Sequence, residues 1–261
     1  MGKFKEDLGL ALELAGHADV VTMHRFEASD LSVKEKPDMS PVSDADLTCE
    51  KQIRESLKRS RPRDEVLGEE YGGEACYKGR QWVIDPIDGT TNFAHGQPHW
   101  AVSIALEHKG EIVSGVVYDA AKDELFWAEK GAGCWMNDKR LRVSGRRHLI
   151  EAVFATGVPF AAKKTLPATL QDLARLMPTC AGVRRWGAAA LDLAYVAAGR
   201  YEGYWERELN AWDIAAGILL VREAGGMVSA IRDGDEPLEK GSIVAANDQL
   251  FEPFRKIIRG E

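Results

Sequence analysis

Asp85-Pro86-Ile87-Asp88-Gly89-Thr90 sets two carboxylates three residues apart, where the apolar run Trp82-Val83-Ile84 gives way to turn residues. Carboxylate and carbonyl oxygens are the ligands of hard divalent cations, and backbone N–H groups at a tight turn bind phosphate. One corner could serve both. Pro86 withholds a ladder hydrogen bond and biases Asp85 toward extended geometry, so the strand is expected to stop at Asp85. Gly89 can take a positive φ or let a ligand approach the backbone. A structural Asp-Pro turn, whose carboxylates only cap the following backbone, has the same local sequence. Partners elsewhere must decide, and two more acidic groups stand at element ends, where sites tend to be built. Gly68-Glu69-Glu70 closes an expected strand from Glu65, and Trp212-Asp213 opens an expected helix. Each has a bland reading too: solvated loop glutamates, and an aspartate favoured by the helix macrodipole.

The elements that must position these groups follow from periodicity. Leu8, Ala11, Leu12, Ala15 and Ala18 describe an amphipathic helix to about Phe26. The stretch from Lys34 to Pro41 reads as a loop or edge strand leading to Val42. Ser43 is an N-cap with Asp46 at the capping-box position of a helix that Pro62 ends. After the opening strand, β-rich runs from Trp100 to Leu106, Ile112 to Tyr118, Glu124 to Ala128 and Cys134 to Met136 alternate with Gly-, Asp- and Asn-rich turns, the signature of an antiparallel meander. Beyond Ser144 helix and strand alternate: strand 152–156, helices 170–176 and 188–198, strand 201–205, helix 214–223 stopped by Gly225-Gly226, strands 227–230 and 243–246, and helix 250–258. The expected organisation is an α+β lobe over 1–146 carrying most of the acidic groups, and an α/β lobe over 147–261 carrying Asp213.

A chain of 261 residues can form one large domain or two lobes sharing a core. Its 45% hydrophobic and 29% charged content is ordinary for a soluble protein, and a net charge of −7 argues against a nucleic-acid-binding face. The basic run from Arg54 to Arg63 is broken by Glu55 and Pro62 and reads as a solvated helix face. Cys49, Cys76, Cys134 and Cys180 form no C-x-x-C pair, so neither a zinc site nor a disulfide framework is expected, and a reducing cytoplasm fits. The charged start and the lack of any apolar run near about 18 residues predict neither a targeting segment nor a membrane span.

Taken in order, Gly68-Glu69-Glu70, Asp85 through Phe93, and Trp212-Asp213 with Glu223-Ala224-Gly225-Gly226 resemble the inositol monophosphatase family of magnesium-dependent, lithium-sensitive phosphatases. The resemblance covers nearly the whole chain. It implies an α/β fold of mixed α+β and α/β lobes, the layered αβαβα sandwich of the sugar phosphatases, and a homodimer. It also implies hydrolysis of a small-molecule phosphate monoester with two or three Mg2+ per subunit, by in-line attack of an activated water without a covalent intermediate. By position, Glu69, Asp85, the carbonyl of Ile87, Asp88 and Asp213 look like the metal ligands. Thr90 with Glu69 resembles the pair that orients and deprotonates the attacking water, and Asp46 resembles the more distant acid that assists Thr90. The N–H groups of Gly89 and Thr90 would hold the phosphate. The chemistry is coherent, because phosphoryl transfer needs its oxygens neutralised and its nucleophile held in line, and crowded carboxylates repel without cations.

Substrate choice falls to the second half. Gly187-Ala188-Ala189 and Glu206, seven residues before Asp213, match the positions that meet inositol hydroxyls in the family; close helix packing and a surface charge are the plain alternatives. Thr91 through Gly96, Ala155 through Phe160 and Ala189 through Ala194 look like bacterial inositol monophosphatases. Phe26 through Leu31, Lys36 through Asp46 and Gly79 through Trp82 instead look like the histidinol-phosphate phosphatases of the same superfamily. That branch commonly has a basic residue at the position of Thr91 and an acidic one near Ala188, both absent here. Inositol 1-phosphate is therefore the expected substrate, with L-histidinol phosphate the alternative. A third expectation, of another class, is an interaction protein of transcription or RNA processing that keeps the phosphatase fold.

Overall fold

Alternation of apolar residues at helical and strand spacing builds five stacked layers. The computed structural model describes residues 3–37, 39–76, 78–159 and 164–261; Met1, Gly2, Asp38, Tyr77 and Phe160, which enter segments considered above, lie outside the described residues. Helices α1 (Lys5–Arg25) and α2 (Asp44–Ser60) form the first layer. Between them in sequence lies a hairpin of β1 (Val33–Glu35) and β2 (Pro41–Ser43). The second layer is a sheet in the order β3 (Glu65–Gly68), β4 (Arg80–Asp88), β5 (Ala101–His108), β6 (Glu111–Asp119), β7 (Glu124–Glu129), β8 (Gly133–Met136) and β9 (Lys139–Arg140). Only β3 and β4 pair in parallel; the rest is the expected meander. A short helix, α3 (Thr90–Ala94), follows β4.

The other sheet has the order β11 (Gly182–Arg184), β10 (Val153–Thr156), β12 (Gly203–Arg207), β14 (Ser242–Ala246) and β13 (Met227–Ser229). Its outer face is covered by α4 (Leu166–Leu176) and α8 (Phe251–Arg259), with Phe154, Trp205 and Phe254 at the centre of that core. Helices α5 (Ala189–Ala197) and α6 (Ala211–Glu223) run between the sheets, and α7 (Pro237–Lys240) precedes β14. These middle helices are apolar on all sides because both faces are buried. One core joins Leu191, Leu193, Ile214 and Ile218 to Val83, Ala105 and Val117 of the large sheet and to Tyr204, Ile243 and Ala245 of the small one. The αβαβα sandwich is therefore present. Among the described residues no helix is long and apolar enough to cross a membrane.

Two expectations need correction. The strand does not stop at Asp85: β4 continues to Asp88, with a register shift in which Asp85 faces Ser103 and Asp88 faces Ala101. Pro86 interrupts the ladder without ending the strand, and the irregularity absorbs one extra residue as a β-bulge. The basic run is not merely a solvated face, since Arg54 bonds Glu50 and Arg61 bonds Asp7.

Close approach of α5 and α6 depends on Gly217, where an added Cβ would lie 2.5 Å from Leu193 Cδ1 and 2.6 Å from its Cβ. The Gly217→Ala variant is expected to lose about 1–3 kcal/mol by overpacking, a fall in Tm of roughly 2–10 °C. Thermal unfolding followed by circular dichroism measures this, and an unchanged Tm would show that the helices can separate without cost.

Candidate active site

The bulge in β4 decides where the carboxylates point. In a regular strand, residues 85 and 88 would face opposite sides of the sheet, because the side-chain period is two. One extra residue restores them to a common side. Val83 packs against the α5 and α6 core, so Asp85, two residues on, faces the same layer, where α6 begins with Asp213 near its N-terminus. The parallel pairing of β3 to β4 carries the chain end at Gly68 beside Ile84, and the Glu69 amide donates to the Ile84 carbonyl at 3.2 Å. Glu69 thereby arrives next to Asp85.

Electrostatics confirms the proximity. Burial first, then the negative charges of Glu69, Asp88 and Asp213, push the Asp85 carboxyl well above the ordinary carboxylate range, and Asp85 and Glu69 share a hydrogen bond. Asp88 is raised in the same way by burial and then by Asp213, with Glu206 and Glu69 adding to it and the Ala190 amide opposing. Each carboxylate has turned to a local donor. Ile87 N donates to Asp85 at 3.0 Å, Ala190 N to Asp88 at 2.6 Å and Asn210 N to Asp213 at 2.6 Å. Lys36 Nζ lies 2.8 Å from Glu69 and 2.7 Å from Glu70. Among the described residues no three His, Cys, Asp or Glu side chains form a ready cation cage. The donor set nonetheless suits divalent cations: hard oxygens, crowded and partly neutralised by a lysine.

Around this corner the other expected residues take their places. Asp46 is fully buried and performs its capping-box role, accepting from Ser43 N at 2.8 Å and Ser43 Oγ at 2.5 Å. Its second oxygen lies 3.3 Å from Thr90 Oγ1, which is also 3.1 Å from the Ile87 carbonyl. Cap and site contact coexist in one side chain. Burial raises the Asp46 pKa to about 6 against the opposing Ser43 bonds. Gly89 adopts φ +93°, and a Cβ there would meet the carbonyl of His99 at 3.1 Å and the side chain of Ala188 at 3.3 Å. Gly89 is thus needed for its backbone and for the contact that seats Gly187-Ala188-Ala189 against the corner. Glu206 accepts from Tyr204 Oη at 2.5 Å and occupies the space a side chain on Gly157 would fill. Asp88 feels its charge. The expected site residues therefore gather around the ends of β3 and β4 and the starts of α3, α5 and α6, with Asp46 reaching Thr90 from the start of α2 and Glu206 coming from β12.

Sequence reasoning missed several members. Lys36 carries no motif of its own, and its reach to Glu69 depends on the β1–β2 hairpin. Ala190 contributes a backbone amide, which no side-chain motif signals. Asp192 is fully buried beside Glu206 and Asp88, with its carboxyl held well above the usual range by burial and then by Glu206. One of its oxygens has no hydrogen-bond partner among the described residues.

The comparisons with known proteins agree on the family. A family model described as the inositol monophosphatase family matches residues 5–259. The chain belongs to the inositol monophosphatase family. An inositol-1-monophosphatase of Rhizobium meliloti is 49% identical over 89% of this chain and 88% of its own. A Nus factor SuhB of Pseudomonas aeruginosa is 46% identical over 97% of this chain and 95% of its own. The solved inositol monophosphatase from Anabaena superposes with a TM-score of 0.87 at 33% identity, covering 98% of this chain and 96% of that one. Membership in this family also makes the chain an enzyme of the phosphatase type.

His99 borders the site, packed 5.5 Å from Trp186 and 5.8 Å from Tyr195 between ring centroids. Burial, with a smaller effect of Lys122, lowers its pKa from 6.5 to about 4. Because the folded value is depressed, its contribution to stability is complete above pH 6.5 and is lost as the pH falls toward 4. Imidazole NMR should place the midpoint near 4, moving toward 6.5 in Trp186→Ala, which uncovers the ring; a wild-type midpoint at 6.5 would contradict the burial argument.

Proposed function

We propose that the protein is a magnesium-dependent phosphate monoester hydrolase acting on inositol 1-phosphate. The observation that carries this reading is the convergence of Glu69, Asp85, Asp88 and Asp213 from β3, β4 and α6 on one corner, beside a Thr90 hydroxyl held on Asp46. Glu69, Asp85, the Ile87 carbonyl, Asp88 and Asp213 would hold two or three Mg2+ ions. Bound there, the ions would neutralise phosphoryl oxygens and lower the pKa of a water molecule.

The chain's own groups supply the rest. Thr90 has one hydroxyl proton to give, shared between Asp46 and the Ile87 carbonyl, which leaves its lone pairs to accept from and orient a water. Glu69 takes the proton of that water as the water oxygen bonds to phosphorus in line with the ester oxygen, the N–H groups of Gly89 and Thr90 hold the phosphate oxygens, and the bond to the alcohol breaks, its alkoxide taking a proton from water. Gly187, Ala188 and Ala189, seated on Gly89, and Glu206, beside Asp88, form the wall that meets the hydroxyls of the leaving alcohol. Identity to relatives named inositol-1-monophosphatase supports this substrate. Lithium inhibition, a homodimer and a cytoplasmic setting belong to the same reading.

A second reading, that the chain acts as an interaction protein of transcription or RNA processing, is supported by relatives named Nus factor SuhB. Phosphate release separates the two. Wild-type protein with magnesium should hydrolyse inositol 1-phosphate with a higher kcat/KM than L-histidinol phosphate; a large preference for the latter would overturn the substrate, and no release from any ester would favour the interaction role.

Asp88→Asn should lower magnesium-dependent turnover by more than about 100-fold, beyond the effect typical of outer-sphere changes. For Thr90→Ala the expected loss in kcat is roughly 100-fold, with KM little changed. Full turnover by either variant would remove that residue from the mechanism.

A further inference from the structure

Glu50 lies one turn after Asp46 on α2, and its side chain is completely buried. Oε2 accepts the Glu70 amide at 2.7 Å, while Oε1 accepts the Tyr71 amide at 3.2 Å and Arg54 Nε at 2.7 Å. Arg54 also donates to the Gly72 carbonyl. The turn leaving β3 is therefore held at four successive amides, from Gly68 to Tyr71, and at the Gly72 carbonyl. Gly68 N bonds the Gly72 carbonyl at 3.1 Å, Glu69 N bonds Ile84, the next two amides bond Glu50, and the Gly72 carbonyl receives Arg54. The fit is tight enough to dictate a neighbour, because a Cβ on Gly68 would fall 2.1 Å from Glu50 Oε1. Gly68 is needed for the space that this carboxylate occupies, with no positive φ involved.

We infer that Glu50 is a positioning residue, which aims the Glu69 carboxylate by clamping the Glu70 and Tyr71 amides, and that Gly68 exists to admit it. A fully buried carboxylate is costly unless fully bonded, and here two amides and a guanidinium satisfy it. Without the clamp the turn would be free to swing Glu69 away from Asp85. The inference rests on Glu69 being a cation ligand, as proposed above, and it adds a supporting group that no side-chain motif around Glu69 discloses. Outer-sphere partners of this kind commonly set metal affinity by about 10–100-fold.

The test uses the full chain, with Mn2+ as the probe and no substrate. Glu50→Gln preserves size but presents an amide N–H₂ to one of the donors it must receive; Gly68→Ala displaces the carboxylate from the other side. Glu55→Gln, on the exposed face of the same helix, is the control. Calorimetric Mn2+ titration, below the unfolding range of every variant, gives the dissociation constant, and hydrogen exchange of the Glu70 and Tyr71 amides reports the clamp. Glu50→Gln should exchange those amides faster and bind Mn2+ about 10–100-fold more weakly. Gly68→Ala should do the same, while Glu55→Gln matches wild type. Faster exchange or a lower Tm with Mn2+ affinity within about 2-fold of wild type would reduce Glu50 to a structural buried pair and overturn the inference. Failure of wild type itself to bind Mn2+ would be a different result: it would sink the cation-site reading, and this inference with it.

Discussion

Repulsion among Glu69, Asp85, Asp88 and Asp213 is the constraint around which the structure is arranged. Burial and mutual charge raise Asp85 and Asp88 far above the ordinary carboxylate range, and the chain tolerates this only because each acid has a compensating donor. Two of those donors are backbone amides within the same turn or cap, at Ile87 and Asn210, one is the amide of Ala190 on another helix, and one is the ammonium of Lys36. The compensation is partial. A corner that remains acidic, crowded and backed by a lysine is poised to exchange those partners for cations.

The fold supplies this corner through edges rather than through the core. The sheet of β3 to β9 and the buried helices α5 and α6 are ordinary apolar packing, close at Gly217 and Gly115, where added side chains would strike Leu193 and Ala216. That packing fixes the start of α6 over the end of β4. The bulge at Pro86 and Ile87 then turns two aspartates to a common face, and the clamped turn after β3 presents Glu69. Gly89 lets the segment before α5 close down on the corner, so the groups suited to a phosphate and those suited to its alcohol come from opposite halves of the chain.

Much of this was legible in residue order. Periodicity gave the meander and the helix–strand alternation after Ser144, and Ser43 with Asp46 announced the cap of α2. Acidic groups at three element ends pointed to a site, and the resemblance to the inositol monophosphatase family joined them into one set, since each alone has a structural reading as a cap or a solvated turn. What was not legible depended on long-range geometry. Pro86 reads locally as a strand end, and only pairing with β5 reveals that the strand resumes. Lys36, Glu50 and Ala190 act across 33, 20 and 102 residues of sequence, and Ala190 acts through an amide that every residue but proline carries. Short strands such as β9 and β11 escaped because two or three residues carry too little pattern to separate from loop.

The central claim, that the four acids form a repelling corner completed by divalent cations, is tested most directly by thermal unfolding of wild type and Asp85→Asn with and without magnesium. Without magnesium, the variant should be at least as stable as wild type, because one repelling charge is gone. Saturating magnesium should raise the wild-type Tm by about 5–10 °C and leave the variant nearly unmoved. A wild-type Tm indifferent to magnesium, or an equal rise in both proteins, would contradict the account.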